Sequence, residues 1–276
     1  MTERFRQAER FLSESLRQAR SANATSALEL ARARLNLTPI VGNAGIARDL
    51  CQRIVRSAES DAIHYRARLL LLIALVEIGR YVEAEREAQT HPDWMIAGER
   101  PALLDAIRLL DQCAVTATTD LRQRRFGLVL KLLVEPLLSM EERFTPEQRF
   151  ELRMRETRAL LFIGGDRDAR RVLATWKAAP STTDDRLLRD LGDTYSRLEA
   201  YALETDVQRL RMQQNPAGSL PWFDARYALA LAYYHTGQYK QAAQLIDATA
   251  ILHPELGGGE LQEKFIRLRQ RLGARP

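Results

Sequence analysis

The sequence predicts an all-α fold in which helices are joined in pairs. Apolar residues recur every three or four positions through most of the 276 residues, a spacing that places them on one face of a helix. Glycine and proline are few, 14 and 10 residues, and they stand between these segments. Several of the turn glycines are followed five positions later by alanine. These three observations predict a helix-turn-helix unit that is repeated along the chain.

The composition shows no segment suited to a membrane. Hydrophobic residues make up 46% of the chain, an ordinary share for a globular protein. The longest apolar run, residues 69–76, is far shorter than the roughly 20 residues that a membrane-spanning helix needs. Residues 1–15 are charged and have no apolar centre, unlike a secretory signal. We therefore expect no integral membrane segment and a cytoplasmic location.

Cys51 and Cys113 are the only cysteines, and both stand in apolar helical segments. Two thiols in a chain of this length do not form the framework of a disulfide-stabilised fold. We expect both to be buried free thiols, which favours a reducing compartment.

The amino-terminal part is expected to hold a single helix and then a degenerate helix pair. Residues 2–20 carry apolar residues at helical spacing between Arg and Glu, and this helix is expected to cap the fold. A joint of small residues leads to the pair at about 24–58, whose turn contains Gly42 with Ala47 five positions later.

The next part combines a regular pair with an irregular one. The pair at about 62–92 turns at Gly79, and Ala84 follows five positions later. In the less regular stretch that follows, Thr119 is expected to cap a long helix that Pro136 kinks or ends.

A strong helix start opens the pair at about 145–180. Thr145 is expected at the cap, Pro146 at the first helical position and Gln148 as the partner in a capping box. This pair turns at Gly164, and an alanine again follows five positions later.

The pair at about 182–216 departs from this pattern at two positions. Glu199 takes the place of the turn glycine, and Glu204 takes the place of the small alanine. Near the end of the chain, the three glycines at 257–259 form a break before an amphipathic helix at 260–273.

The remaining pair, at 222–254, resembles a nearly complete tetratricopeptide repeat, and its length of about 34 residues is typical of that unit. The residues that carry the resemblance are Ala225, Leu229, Tyr233, Gly237, Tyr239, Ala242 and Pro254. A weaker resemblance extends over about residues 24–254. The resemblance implies a right-handed α-solenoid of about six helical hairpins over residues 22–256, with capping helices at 1–21 and 257–276.

In tetratricopeptide proteins the first helices of successive hairpins line a concave groove. The resemblance therefore implies a protein–protein interaction scaffold or adaptor, whose groove binds a partner such as an acidic or extended peptide. The residues expected to bind the partner are Arg158, Phe162, Arg186, Arg189, Arg197, Tyr227, Tyr234 and His235. The matching positions of the 62–92 pair are Arg66, Leu69, Ile73, Val76 and Glu77.

No residue pattern in the sequence predicts catalysis. The four histidines do not stand with one another or with cysteine at the spacing of metal ligands. The glycine-rich stretches lack the Lys-Ser/Thr of a phosphate-binding loop, and there is no nucleophile elbow. We therefore expect a protein that is not an enzyme and that has no cofactor or metal.

Two other functions remain open from the sequence. A regulatory protein could contact nucleic acid through the basic residues between Arg122 and Lys131, although aromatic residues are not interleaved as single-strand binding requires. For that reason we do not expect nucleic acid as the partner. The second alternative is a peripheral accessory subunit of a membrane-associated complex, attached through the helix at 2–20.

Overall fold

The computed structural model describes residues 2–39, 41–58, 60–89, 100–175 and 184–273. Every regular element in these ranges is a helix and none is a strand, which confirms the predicted all-α class. The chain divides into two compact units, Met1–Thr175 and Trp176–Pro276.

The first unit contains nine α-helices in its described part, and a short 3-10 helix, Glu141–Arg143, lies between the seventh and the eighth. The α-helices are α1 (Thr2–Gln18), α2 (Ala22–Asn36), α3 (Ala44–Ser57), α4 (Asp61–Glu77), α5 (Tyr81–Gln89), α6 (Arg100–Val115), α7 (Asp120–Leu138), α8 (Pro146–Phe162) and α9 (Asp166–Ala174).

Side-chain caps start two of these helices at the residues that the sequence predicts. Thr119 accepts a hydrogen bond from the backbone N–H of Arg122 at the start of α7. At the start of α8, Thr145 and Gln148 form the predicted capping box, with hydrogen bonds of 3.1 and 3.3 Å. These bonds satisfy backbone N–H groups that the first turn of a helix leaves without an intrahelical partner.

Helices of the first unit pack in pairs and in a row. Contacts join α2 to α3, α4 to α5, α6 to α7 and α8 to α9. The first helices of these pairs also contact one another in order, α2 with α4, α4 with α6 and α6 with α8. The resulting core includes side chains with no exposed surface, among them Leu72, Ile107, Leu110, Phe126 and Leu130.

The second unit contains five α-helices in its described part. They are α10 (Asp185–Arg197), α11 (Tyr201–Gln214), α12 (Leu220–His235), α13 (Tyr239–Leu252) and α14 (Gly259–Gly273). Helix α10 packs on α11 and α12 packs on α13, while α12 also contacts α10 and α14. The final helix buries Phe265, Leu268 and Leu272 in the core of this unit. A helix is therefore present where the sequence predicts the last one.

Four helix pairs turn with the same backbone geometry. The turn residues have φ values of 83°, 84°, 58° and 77°, and they are Gly79, Gly164, Glu199 and Gly237. In each turn the next residue donates its N–H to the carbonyl group five residues earlier, at 2.8 Å. The turn residue itself donates to the carbonyl group three residues earlier. These two bonds form a Schellman motif, whose left-handed residue explains why glycine recurs at this position.

The residue five positions after each of these turns is buried. Ala84, Ala169 and Ala242 have no exposed surface, and Glu204 is 3% exposed. A small side chain at this position lets the two helices of a pair approach closely. In the α10–α11 pair, a carboxyl group occupies that interior position instead.

The α2–α3 pair does not share this turn, although the sequence predicts one at Gly42. Gly42 is not among the residues with positive φ. A Cβ atom at Gly42 would lie 2.2 Å from the backbone oxygen of Asn36, so close approach of the chain requires glycine here. Helix α7 continues past Pro136 and ends at Leu138, within one turn of the proline.

Both cysteines are buried and free, as the sequence predicts. Burial raises the pKa of the Cys51 thiol and of the Cys113 thiol to about 12. The predicted ends of two helix pairs, at about residues 92 and 180, and the predicted start of the next pair, at about residue 182, lie outside the described residues.

Candidate functional site

Helices α10 and α12 of the second unit carry the accessible part of the predicted site. The arginines of α10 are exposed, and their spacing of three and then eight residues places them along one side of the helix. On α12 the two tyrosines are half-buried and the histidine is exposed. We name this surface the α10–α12 face and define it by Arg186, Arg189, Arg197, Tyr227, Tyr234 and His235.

Two other predicted site residues are buried in the first unit. Arg158 is 2% exposed and Phe162 is 3% exposed. Nε of Arg158 donates to Oδ1 of Asp111 at 2.7 Å, and its guanidinium group lies 5.7 Å from the centre of the Phe162 ring. The prediction that these two residues line an open groove is therefore wrong. The buried carboxylate of Asp111 on α6 binds Arg158 where α6 contacts α8, so the arginine side chain does not reach the surface.

The same correction applies to the apolar positions predicted on the 62–92 pair. Leu69, Ile73 and Val76 are at most 1% exposed, because α2 and α6 both pack on α4. Arg66 remains exposed, and Glu77 forms an ion pair with an arginine of α7. The predicted partner-binding residues that remain accessible therefore lie mainly in the second unit.

A buried arginine connects the beginnings of the two helices that carry the α10–α12 face. Arg211 of α11 is 1% exposed, and its Nε and Nη2 donate to the two carboxylate oxygens of Asp185 at 2.9 and 3.2 Å. Nη2 also donates to Oδ2 of Asp224 at 2.9 Å. Burial acts to raise the pKa of Asp185, but the hydrogen bond and the charge of Arg211 outweigh it and the pKa is lowered. Arg211 therefore ties α11 to the beginnings of α10 and α12.

A shallow cleft with a volume of about 330 Å³ opens beside this arginine. Arg189 of α10, Asp224 of α12 and Lys264 of α14 line it, so three helices contribute charged groups. Lys264 also pairs with Glu260 at 2.8 Å. Sequence reasoning missed both Arg211 and Lys264, because the tetratricopeptide resemblance directs attention to the first helices of pairs.

Aromatic contacts hold the rings of α12 in place. His235 stacks on Tyr201 with 4.9 Å between ring centres and 8° between ring planes. Tyr234 meets His235 edge-on at 5.6 Å, and Tyr227 meets Phe265 of α14 edge-on at 5.4 Å. Side chains that are already positioned lose little conformational freedom when a partner binds.

The basic stretch of α7 is largely neutralised by acidic neighbours. Three of its cations form ion pairs with glutamates, namely Arg122 with Glu77, Arg125 with Glu85 and Lys131 with Glu135. Binding to nucleic acid requires cations that are free to neutralise phosphates. The arrangement therefore gives no support to a nucleic-acid interface on this helix.

Helix α1 packs on α2, and Nε of Arg32 donates to Oε1 of Glu9 at 2.5 Å. None of the helices in the described ranges has both the length and the apolar character needed to cross a bilayer. Within the same ranges, no group of three or more His, Cys, Asp and Glu side chains is placed to hold a metal ion.

A scan against protein-family models finds no match to the sequence, and a search of curated proteins finds no significantly similar sequence. The geometry of the described residues is therefore the basis for inferring function. In the described residues of the second unit, α10 carries exposed arginines, ring contacts hold the aromatic side chains of α12, and Arg211 pairs with a carboxylate near the start of each of these helices.

Proposed function

We propose that this protein is a tetratricopeptide-like scaffold that binds a partner protein on the α10–α12 face. The observation that carries the proposal is the Schellman turn that recurs in four helix pairs, each followed five positions later by a buried residue. Turns of one geometry produce helix pairs of similar shape, and such pairs stack through their apolar sides. Under this proposal the pairs form a right-handed α-solenoid of about six hairpins, with α1 and α14 as caps.

The chemistry of the α10–α12 face favours a partner segment that carries carboxylates. Arg186 and Arg189 are exposed, and in the described part of the chain neither lies within ion-pair distance of a carboxylate, although the charge of Arg189 acts on Asp185. Guanidinium groups bind carboxylates through two parallel hydrogen bonds. Tyr227 and Tyr234 add flat surface of the kind that is enriched where protein partners bind. We therefore propose an acidic or extended peptide as the ligand, and binding without catalysis as the function.

The test is a charge reversal on α10 with a matched control on α9. The Arg186→Glu/Arg189→Glu variant changes two exposed arginines that are three residues apart. Arg167→Glu/Arg170→Glu makes the same change, at the same spacing, on exposed residues of the first unit. Both variants are compared with the wild type in a crosslinking pull-down from native cells, followed by affinity measurement with the partner that is recovered.

We expect the α10 variant to bind the recovered partner at least about tenfold more weakly, a loss of about 1.4 kcal/mol. The α9 variant should bind as the wild type does, because its arginines lie outside the α10–α12 face. Circular dichroism checks that both variants keep the helical content of the wild type. Equal affinity of the three proteins would rule out this face as the binding surface.

A further inference from the structure

We propose that the α10–α11 hairpin is controlled by a single proton: the protonated carboxyl group of Glu204 holds α11 against α10, and its ionisation loosens the hairpin. The proposal concerns the stability of the hairpin in the free protein. It therefore stands or falls independently of any partner.

The surroundings of Glu204 suit a neutral carboxyl group better than a charged one. Its side chain is 3% exposed, and among the described residues its Oε2 atom has no hydrogen-bond partner. The carboxyl group also forms a hydrogen bond with the side chain of Ser196 on α10. A carboxylate buried in this way loses the water that solvates its charge and recovers little from the protein.

The other helix pairs with the same turn carry a small apolar residue at the position equivalent to Glu204. Their equivalent residues, Ala84, Ala169 and Ala242, have no polar group and no exposed surface. The α10–α11 hairpin also has a non-glycine turn residue, Glu199, at φ 58°. Among the four pairs with this turn, α10–α11 is thus the one that departs from the pattern at both positions. Such a pair is the expected place for local opening.

Among the described residues, the charge that acts most clearly on Glu204 is the negative charge of Asp193. Helices α10 and α12 bring Asp193, Arg197 and His235 to this end of the hairpin, where His235 stacks on Tyr201 of α11. Burial is the main cause that raises the pKa of Glu204 to about 7, the hydrogen bond with Ser196 acts to lower it, and the negative charge of Asp193 raises it further.

The direction of the pH effect follows from this raised value. The ordinary pKa of a glutamate is 4.5, so between that value and about 7 the folded protein keeps a proton that the open hairpin releases. The proton on Glu204 stabilises the closed hairpin fully below pH 4.5, and this stabilisation is lost as the pH rises through 7. Because α10 carries three arginines of the α10–α12 face, loosening the hairpin also releases that face from its fixed position.

Hydrogen exchange of the full-length protein at pH 6 and pH 8 tests the proposal. After correction for the intrinsic exchange rate, the amides of α10 and α11 should lose protection by roughly tenfold between the two pH values. Glu204→Gln keeps the size of the side chain and removes its ionisation, so its protection should not depend on pH. Glu199→Gln removes an exposed carboxylate from the same hairpin and should retain the pH dependence of the wild type.

The proposal fails if the wild-type α10–α11 amides keep the same corrected protection at pH 6 and pH 8. It also fails if Glu204→Gln loses protection to the same extent as the wild type. Protection in α2 and α3, which lie in the first unit, serves as the internal reference. A loss of equal size there would assign the effect to the whole chain and contradict the role of Glu204.

Discussion

Glu199 occupies a backbone conformation that glycine holds in the three equivalent turns. Its φ is 58°, whereas the glycines of the other turns have φ between 77° and 84°. A left-handed conformation costs a residue with a Cβ atom about 1–2 kcal/mol, and the hydrogen bonds of the Schellman motif hold Glu199 in it. At Gly237 no atom lies within 4 Å of an added Cβ, so backbone conformation alone requires glycine there.

Opposite substitutions at these two turns should change stability in opposite directions. Glu199→Gly should raise the free energy of unfolding by up to about 1 kcal/mol, because relief of the left-handed strain exceeds the entropy cost of glycine. Gly237→Val should lower it by about 1–3 kcal/mol. Urea unfolding measures both changes.

The control for this pair is Glu199→Gln, which removes the charge and keeps the Cβ atom. Its stability should stay close to that of the wild type at pH 7. If Glu199→Gly and Glu199→Gln were equally stable, backbone strain at this turn would be excluded as the cause.

At the scale of helices, Gly127 permits the close contact between α7 and α8. A Cβ atom at this position would lie 2.7 Å from Cβ of Phe162 and 3.1 Å from the backbone oxygen of Ala159. Glycine inside a helix is otherwise unfavourable by roughly 0.5–1 kcal/mol relative to alanine. The close packing of α7 on α8 thus outweighs the low helix propensity of glycine within α7.

Gly127→Ala should therefore destabilise the protein by about 1–3 kcal/mol, because overpacking exceeds the gain in helix propensity. Thermal unfolding followed by circular dichroism measures the change. Gly273→Ala is the control, since an added Cβ at the end of α14 meets no atom within 4 Å. A melting temperature for Gly127→Ala at or above that of the wild type would show that α7 and α8 do not approach this closely.

At the scale of the whole molecule, each of the two compact units has a core of its own. In the second unit, Ile246 and Phe265 belong to one apolar cluster, and the buried Arg211 is paired with carboxylates of the same unit. A unit whose apolar groups and buried charges find partners within itself has the properties of an independently folding domain.

A fragment of residues 184–273 should accordingly fold without the first unit. We expect a helical circular dichroism spectrum and a cooperative thermal transition, which calorimetry measures. Arg211→Met in this fragment should lower the melting temperature, because it leaves Asp185 without its buried partner. A fragment that is helical but melts without a cooperative transition would contradict the presence of a complete core.

The sequence alone determined that the described chain is helical, where two of the helix caps lie and where most of the turns lie. The capping box at Thr145 and Gln148 and the turn at Gly237 depend on residues within one or two turns of each other, so local patterns predict them. Glu199 and Glu204 were also recognisable from the sequence as departures from the repeated pattern.

Only the tertiary structure decided which sides of the helices remain accessible. Arg158 is buried because it meets Asp111, a residue 47 positions away, and Arg211 is buried because it meets Asp185, 26 positions away. Helical periodicity shows that a residue lies on a given side of its helix, but it does not show which other helix covers that side. Burial depends on partners distant in the chain, and their positions are set by packing.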